Sequence, residues 1–208
     1  MPRDGSATRT SIMDAAEALI LGRGFAATSV DEIIERAGIT KGAFFYHFKS
    51  KADLAHALVE RFAARDAAQL EDKMSRAERL ARDPLQQTLI FVGLFQEEMA
   101  LLDDPGVGCL FASYCYEAQL FDDAVLALIR SAMEHWRLRF GAKLEEVIAL
   151  YPPRLPVTAE SLADLISTVF EGAFLMSRMF GDSKLVAEQL GHYRNYLELL
   201  FQPAPAAR

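Results

Sequence analysis

The residues best suited to chemistry lie between Thr40 and Lys51, a stretch that combines four aromatic rings, an imidazole and three lysines with no acid. Lysine ammonium groups attract phosphates, and side chains on a helix can contact the edges of bases. Thr40 is predicted to cap a short helix, because its hydroxyl can accept a hydrogen bond from a backbone N–H of the first turn. Lys41 then lies at the helix start, where free N–H groups also favour an anion. This stretch therefore favours contact with nucleic acid.

The predicted helix has one face for the protein and one for a partner. Phe45 and Phe48 fall three positions apart and are predicted to anchor the helix to the rest of its domain. Gly42 leaves the first turn without a side chain, so the backbone can approach DNA closely. The same composition would also suit a short core helix in any globular protein. The side chains predicted to face a groove are those of Phe44, Tyr46 and His47.

A second short helix is predicted just before this one. Ser29 and Glu32 have the spacing of a capping box, which marks the start of a helix. Gly38 is predicted to end it, since glycine takes a left-handed conformation without penalty. Two short helices joined by such a turn form a helix-turn-helix, whose second helix enters the major groove. The apolar stripe of the first of them repeats at i, i+3, i+4 and i+7 through Val30, Ile33, Ile34 and Ala37.

The run from Thr28 to Leu54 resembles the DNA-binding domain of the tetracycline-repressor (TetR/AcrR) family. The resemblance rests on Lys41-Gly42 followed by aromatic residues, and on the tripeptides Tyr46-His47-Phe48 and Lys49-Ser50-Lys51. The pair Phe44-Phe45 departs from many members, which have a single small or polar residue before an aromatic one. The resemblance implies that contacts with DNA, chiefly with phosphates, come from Thr28, Thr40, Lys41, Tyr46, His47 and Lys51.

The same resemblance implies an all-α fold. An N-terminal three-helix helix-turn-helix head, residues 1–53, is expected to be joined by a long helix to a C-terminal helical ligand-binding and dimerisation domain, residues 54–208. The residues agree with this expectation. One helix is predicted from near Thr8 to Leu21, and another begins at Lys51 and meets no proline or glycine before Pro84. A hydrophobic content of 51% is ample for a sizeable core.

The second half of the chain carries further helical patterns, one after Pro84, a short one near Gly108 and one that opens near Asp122. The prolines between residues 151 and 156 forbid a helix and predict a loop. The helix predicted after Thr158 is apolar around most of its circumference, so it needs cover on both sides. In the family the last two helices form a four-helix bundle with their copy. The resemblance thus implies a homodimer through residues of about 158–201.

The charge distribution agrees with a small DNA-binding surface. The formal net charge is −7, but residues 1–55 hold seven basic and seven acidic side chains, so the acidic excess lies in the remainder. Only residues 36–51 form a local basic patch. A small basic surface on an acidic body suits site-specific binding by a dimer to a double-stranded operator, which two-fold symmetry predicts to be palindromic.

The resemblance also implies an effector cavity in the C-terminal domain, for a small, largely apolar or aromatic molecule. Polar contacts could come from Tyr114, Glu117, His135 and Arg137. Core packing explains each of the aromatic rings equally well, and this alternative stays open. The predicted cavity residues are Phe91, Phe95, Cys109, Tyr114, Trp136, Phe140, Phe170 and Phe174.

Two cysteines leave a second kind of regulator open. Cys109 could make the protein a redox- or electrophile-sensing regulator, yet a reactive thiol needs an electropositive, partly exposed setting. The neighbours of Cys109 and Cys115 in the chain are apolar and aromatic, so buried apolar cysteines are the default prediction. No disulfide framework is expected. The scattered histidines have no zinc-ligand spacing, so neither a metal nor a cofactor is predicted.

Other classes of protein fit the sequence poorly. There is no nucleophile elbow, phosphate-binding loop or zinc helix motif, so the sequence predicts no enzyme. An interaction scaffold would explain the helical body but not the coincidence of capping box, glycine turn and aromatic-lysine helix. The N-terminus lacks an apolar signal-peptide core, and no run approaches the roughly eighteen apolar residues of a membrane helix. The overall prediction is a cytoplasmic homodimeric transcription regulator, most simply a repressor released by its effector.

Overall fold

The computed structural model of the chain describes residues 5–201, and within that range it is helical with no strand. The predicted all-α class is confirmed. The ends of the two predicted domains, 1–53 and 54–208, extend past the described residues. The helices are α1 (Gly5–Arg23), α2 (Val30–Ala37), α3 (Lys41–His47), α4 (Lys51–Leu80), α5 (Pro84–Ala100), α6 (Leu110–Tyr116), α7 (Asp123–Leu150), α8 (Ala159–Phe180) and α9 (Lys184–Phe201), with a 3₁₀ helix at Ala118–Leu120.

Local capping chemistry sets the ends of the two short head helices, as predicted. The Ser29 side chain accepts from the backbone N–H of Glu32, and the Glu32 carboxylate accepts from the Ser29 backbone at 2.9 Å. Gly38 ends α2 with a left-handed φ of 64°. The Thr40 hydroxyl then caps α3 by accepting from the Ala43 N–H at 3.2 Å.

Contacts divide the chain into two units whose limits differ from the predicted boundary at residue 53. The first unit runs to Arg65 and also contains Gly108–Ser131. The second contains Asp66–Val107 and the residues from Ala132 onward. Helices α4 and α7 each contribute residues to both units. A continuous helix carries no local signal of such a division, which depends on its long-range neighbours.

In the first unit, α1 packs against α2, α3 and α6. Charged groups tie α4 to α1, because the Arg61 guanidinium donates to Asp14 and to Glu17, each at 2.6 Å. These contacts give α2 and α3 a fixed support. The buried side chains of this unit include Ile12, Ile20, Ile33, Phe44, Phe48, Leu54, Leu58 and Tyr114.

In the second unit, α9 packs against α5 and α8. The Tyr193 hydroxyl, which is buried, donates to the Leu162 carbonyl at 2.8 Å and joins α9 to α8. Lys143 is also buried, and its ammonium donates to Gln87 and Glu146, each at 2.8 Å. Aliphatic and aromatic residues from α4, α5, α7, α8 and α9 fill the core of this unit.

Candidate nucleic-acid interface

Helix α3 presents one face to solvent and buries the other. Tyr46 is 82% exposed and Phe45 is 47% exposed, whereas Phe44 is fully buried. The predicted anchor pair of Phe45 and Phe48 was therefore wrong in its first member. The rings of Phe44 and Phe48 form the anchor, with centroids 6.0 Å apart. Residues four positions apart share a helix face, so the pair i, i+4 competes directly with i, i+3.

The burial of Phe44 also overturns its predicted role at a DNA groove. Its ring has no exposed surface and packs edge-on to Phe45, with ring centroids 5.2 Å apart. Phe45 takes the solvent-facing position instead. The exposed surface around α3 includes Thr40, Lys41, Gly42, Phe45, Tyr46, Lys49 and Ser50.

Two further predicted contacts point inward. The Thr28 side chain is fully buried, and its hydroxyl donates to the Gly24 carbonyl at 2.8 Å. The Lys51 ammonium donates to the Phe25 carbonyl at 2.5 Å and lies 4.0 Å from the centroid of the Phe25 ring. Burial lowers the pKa of Lys51, and the nearby Glu117 carboxylate opposes that shift. Both predicted phosphate ligands thus stabilise the head itself in this structure.

The other predicted residues remain on or near the surface. Thr40, Tyr46 and His47 line a cleft of about 440 Å³ together with Thr8 of α1. Among the described residues, a Cβ added to Gly42 would meet only the Thr40 hydroxyl, at 4.0 Å, so that part of the backbone is open. The structure therefore brings Thr40, Gly42, Tyr46 and His47 together on one side of the head.

Acidic side chains partly offset the basic ones around the turn. Arg23 lies 2.8 Å from Glu32, and Lys41 lies 3.4 Å from Asp31. Hydrogen bonds from the Ser29 side chain and backbone, together with Arg23, lower the pKa of Glu32 to about 2. Exposed pairs of this kind contribute little to stability and exchange partners readily. The Lys41 ammonium is therefore available to a phosphate at small cost.

The residues predicted for an effector cavity fall into different units. Cys109 and Tyr114 belong to the first unit, and the six other rings belong to the second. Tyr114 is fully buried, and its ring stacks on Phe121 with centroids 4.2 Å apart. Its hydroxyl has no hydrogen-bond partner among the described residues, and burial raises its pKa. Tyr114 is a core residue of the first unit.

The six rings of the second unit form a connected aromatic cluster, defined by Phe91, Phe95, Trp136, Phe140, Phe170 and Phe174. Phe91 and Phe140 are fully buried, with ring centroids 4.9 Å apart. Phe95 connects to Trp136 at 5.4 Å and to Phe170 at 5.5 Å between centroids. These contacts are those of a packed core, as the open alternative held. Part of the cluster is nevertheless less enclosed, since Phe170 and Phe174 are only partly buried.

Charged partners of the aromatic cluster were not found from the sequence. The indole N–H of Trp136 donates to the Asp66 carboxylate at 2.6 Å. The buried Lys73 ammonium lies 4.4 Å from the centroid of the Phe95 ring and pairs with Glu98. Both contacts join residues far apart in the chain, so no local pattern marks them. The predicted polar contacts His135 and Arg137 instead pair with acids, namely Glu71, Asp164 and Glu160.

The cysteines and metals add no second site to the described residues. Cys109 and Cys115 form no disulfide; Cys109 is partly buried and Cys115 is exposed. Within residues 5–201 no group of three or more His, Cys, Asp or Glu side chains could hold a metal ion. In the same range no helix has both the length and the apolar character to span a bilayer.

A three-helix head that exposes α3 beyond a glycine turn is the arrangement of a helix-turn-helix DNA-binding domain. The family model described as "Bacterial regulatory proteins, tetR family" matches residues 12–58. Together with the similar proteins described below, this match supports a regulator of the TetR/AcrR family. Members of this family are DNA-binding proteins without enzymatic activity, which agrees with the prediction of no catalytic site.

Similar proteins include transcriptional regulators of known name. The transcriptional regulator AcuR of Cereibacter sphaeroides is 27% identical over 176 residues, which cover 85% of this chain and 78% of AcuR. The HTH-type transcriptional regulator TtgR of Pseudomonas putida is 45% identical over 53 residues, 26% of this chain and 25% of TtgR. A TetR-family regulator from Agrobacterium tumefaciens has a crystal structure that aligns with a TM-score of 0.77 and 25% identity, covering 96% of this chain and all of that one.

Proposed function

We propose that this regulator is a repressor that binds a palindromic double-stranded operator as a homodimer and leaves it when a small effector binds. The observation that carries the proposal is the outer face of α3, where Tyr46 is 82% exposed on a helix otherwise anchored by Phe44 and Phe48. An isolated exposed aromatic side chain is ordinary. One that follows a capped glycine turn and lies beside exposed lysines is suited to a DNA groove.

The proposed DNA contacts are those that the structure leaves accessible. Lys41 and Lys49 would neutralise phosphates, and Thr40 and His47 border the same cleft. The open backbone at Gly42 allows close approach to DNA. Phe45 and Tyr46 are the rings placed to contact base edges, for which the thymine methyl group is the natural apolar target.

The proposed dimer uses α8 and α9, within residues of about 158–201. The last turns of α8 expose a cluster of large apolar side chains, namely Leu175, Met176, Met179 and Phe180. A contiguous exposed apolar surface of this kind marks an interaction site. A second copy is the proposed occupant, because a two-fold interface would place two heads about 34–36 Å apart, one turn of DNA.

The proposed effector site is the aromatic cluster of the second unit, where Phe170 and Phe174 are partly buried. An apolar or aromatic molecule would pack on these rings, and the Trp136–Asp66 and Lys73–Glu98 pairs are the nearest polar groups. Binding there would favour a head arrangement that no longer fits the operator. As a DNA-binding regulator the protein is proposed to act in the cytoplasm.

The first test is binding of the purified protein to the DNA upstream of its own coding region, with unlabelled mixed-sequence DNA as competitor. The comparison uses Tyr46→Ala and, as its matched control, Tyr116→Ala, since Tyr116 is equally exposed at 84% but lies on α6. We expect competitor-resistant binding that weakens with salt, is lost in Tyr46→Ala and persists in Tyr116→Ala. Equal loss in both variants would contradict the proposed reading face.

A cysteine-sensing regulator is the alternative, and the exposure of Cys115 and partial exposure of Cys109 favour testing it. Treatment with a mild oxidant should release DNA from the wild type and not from Cys109→Ser or Cys115→Ser if the thiols sense. Release that both variants retain would eliminate this alternative.

A further inference from the structure

A carboxylate from α6 binds the backbone of the turn that leads into the helix-turn-helix. Glu117, the residue after α6, accepts from the N–H of Phe25 at 2.6 Å and from the N–H of Ala26 at 3.2 and 3.3 Å to its two oxygens. The donors lie 91 and 92 positions away in the chain. Charge-assisted hydrogen bonds are stronger and more directional than neutral ones. Glu117 was predicted to contact an effector, and the structure gives it this different partner.

The turn is shaped to receive that carboxylate. Gly24 has a left-handed φ of 88°, and a Cβ there would lie 3.0 Å from a Glu117 oxygen. The Gly24 carbonyl accepts from the buried Thr28 hydroxyl, which closes the turn just before α2 begins. A side chain at position 24 would both strain the backbone and crowd the carboxylate. Gly24, Thr28 and Glu117 therefore form one local structure.

Phe25 connects this turn to the lysine that follows the helix-turn-helix. While Glu117 binds the Phe25 N–H, the Phe25 carbonyl accepts from Lys51, whose ammonium also lies over the Phe25 ring. The same ring packs on Tyr114, with centroids 5.6 Å apart, and on Phe121, at 4.7 Å. The N–H, the carbonyl and the ring of one residue are thus held by α4 and by the segment around α6.

We propose that Glu117 is a positioning residue for DNA binding, which holds the α1–α2 turn and its Phe25–Lys51 contact in place and so keeps α2 and α3 in the arrangement that binds the operator. This inference rests on the proposed function and names a contact on which it depends. Loss of the carboxylate from both amides frees the turn and weakens the hold of Phe25 on Lys51. Because α2 begins only a few residues after Ala26, a looser turn also loosens α2 and α3 relative to α1.

The first experiment measures the contact without any DNA. Hydrogen–deuterium exchange is followed in peptides that span residues 24–28 for the wild type, Glu117→Gln and Glu117→Ala, with Glu145→Gln on the exposed face of α7 as control. Gln keeps a neutral acceptor and Ala keeps none. We expect exchange at Phe25 and Ala26 to accelerate in the order wild type, Gln, Ala, with a smaller acceleration in α2 and α3 and little change in Glu145→Gln. Unchanged local exchange in both variants would overturn the proposal, and Gln decides the result if Ala does not fold.

The second experiment measures binding to the duplex that wild-type protein selects from random sequences, beside binding to mixed-sequence DNA. Loss of one acidic charge favours binding to any DNA, so Glu145→Gln should bind as well as wild type or slightly better. Glu117→Gln should instead bind the selected duplex about tenfold more weakly, and Glu117→Ala about a hundredfold, while mixed-sequence binding is as tight as that of wild type or slightly tighter.

The outcomes separate this inference from the proposed function. A wild type that selects no duplex refutes both. A wild type that selects a duplex, while the Glu117 variants bind it as tightly, refutes the positioning role alone. Parallel losses on selected and mixed-sequence DNA would also refute it, since they indicate a general loss of folded protein.

Discussion

Helices α3 and α6 are each seven residues long and both are rich in aromatic side chains, and one tyrosine of each shows how differently the same residue type can be placed. In α3 Tyr46 is 82% exposed, whereas in α6 Tyr114 is fully buried between Phe25 and Phe121. The same residue type therefore serves a binding surface in one helix and the core in the other. Composition identifies both helices as unusual, but only the surroundings of each ring assign its role.

The same contrast recurs in neighbouring pairs of identical residues. Phe44 is buried beside the half-exposed Phe45, and Lys51 points inward while Lys49 is exposed. The inward member of each pair supports the turn and the core of the first unit. The outward member lies where DNA is proposed to bind. Substitutions within each pair should separate stability from DNA binding.

The phenylalanine pair should give the largest difference. Phe44→Ala removes a fully buried ring and should lower the free energy of unfolding by about 3–5 kcal/mol, whereas Phe45→Ala should cost less than about 1 kcal/mol. Urea titration followed by circular dichroism measures both values. Equal losses would show that the contrast between the two faces of α3 is false.

The lysine pair should show a smaller effect of the same kind. Lys51→Ala removes the hydrogen bond to Phe25 and the contact with its ring, so we expect a loss of about 1–2 kcal/mol in the free energy of unfolding. Lys49→Ala should change stability by less than about 0.5 kcal/mol but reduce the salt dependence of DNA binding. The opposite assignment of the two effects would show that Lys51 is the solvent-facing member.

Tyr114 sharpens the comparison because its hydroxyl is buried without a hydrogen-bond partner among the described residues. Replacing Tyr114 with Phe keeps the ring contacts and removes the unsatisfied group. The free energy of unfolding should stay within about 1 kcal/mol of wild type, with any change toward greater stability. A thermal melt that shows a loss well beyond this value would mean that the hydroxyl has a partner in solution.

The capping box at α2 should give the smallest effect and a defined pH dependence. Hydrogen bonds from Ser29 lower the pKa of Glu32 from 4.5 to about 2 in the folded protein. A lowered pKa means that the folded state binds the proton less tightly than the unfolded state. The contribution is therefore present above about pH 4.5 and lost as the pH falls toward 2. Stability of Glu32→Gln should depend less on pH across this window, and an identical dependence would contradict the assignment.

Much of the head followed from the sequence, since its signals are local. The capping box of Ser29 and Glu32, the left-handed Gly38 and the Thr40 cap were predicted and are confirmed. The start of α4 at Lys51 and the proline start of α5 were predicted as well. Each of these features depends on residues no more than a few positions apart, which a linear pattern records directly.

The orientation of individual side chains did not follow. Choosing between Phe44 and Phe45 requires the phase of a helix of seven residues, and one position of error exchanges the two faces. The inward position of Lys51 depends on the Phe25 carbonyl, 26 residues earlier in the chain. No local pattern contains that distance, so a phosphate ligand and a structural lysine have the same appearance in the sequence.

The amino-acid sequence by itself determined the all-α class, the caps of α2 and α3, the glycine turn and the resemblance to a family, because backbone hydrogen bonding and capping are satisfied within three or four residues. The tertiary structure alone decided which aromatic rings are covered, why Thr28 and Lys51 face inward, and that Gly108–Ser131 belongs to the same unit as the head. These outcomes depend on contacts such as that between Glu117 and Phe25, 92 positions apart, whose formation requires the chain to have folded.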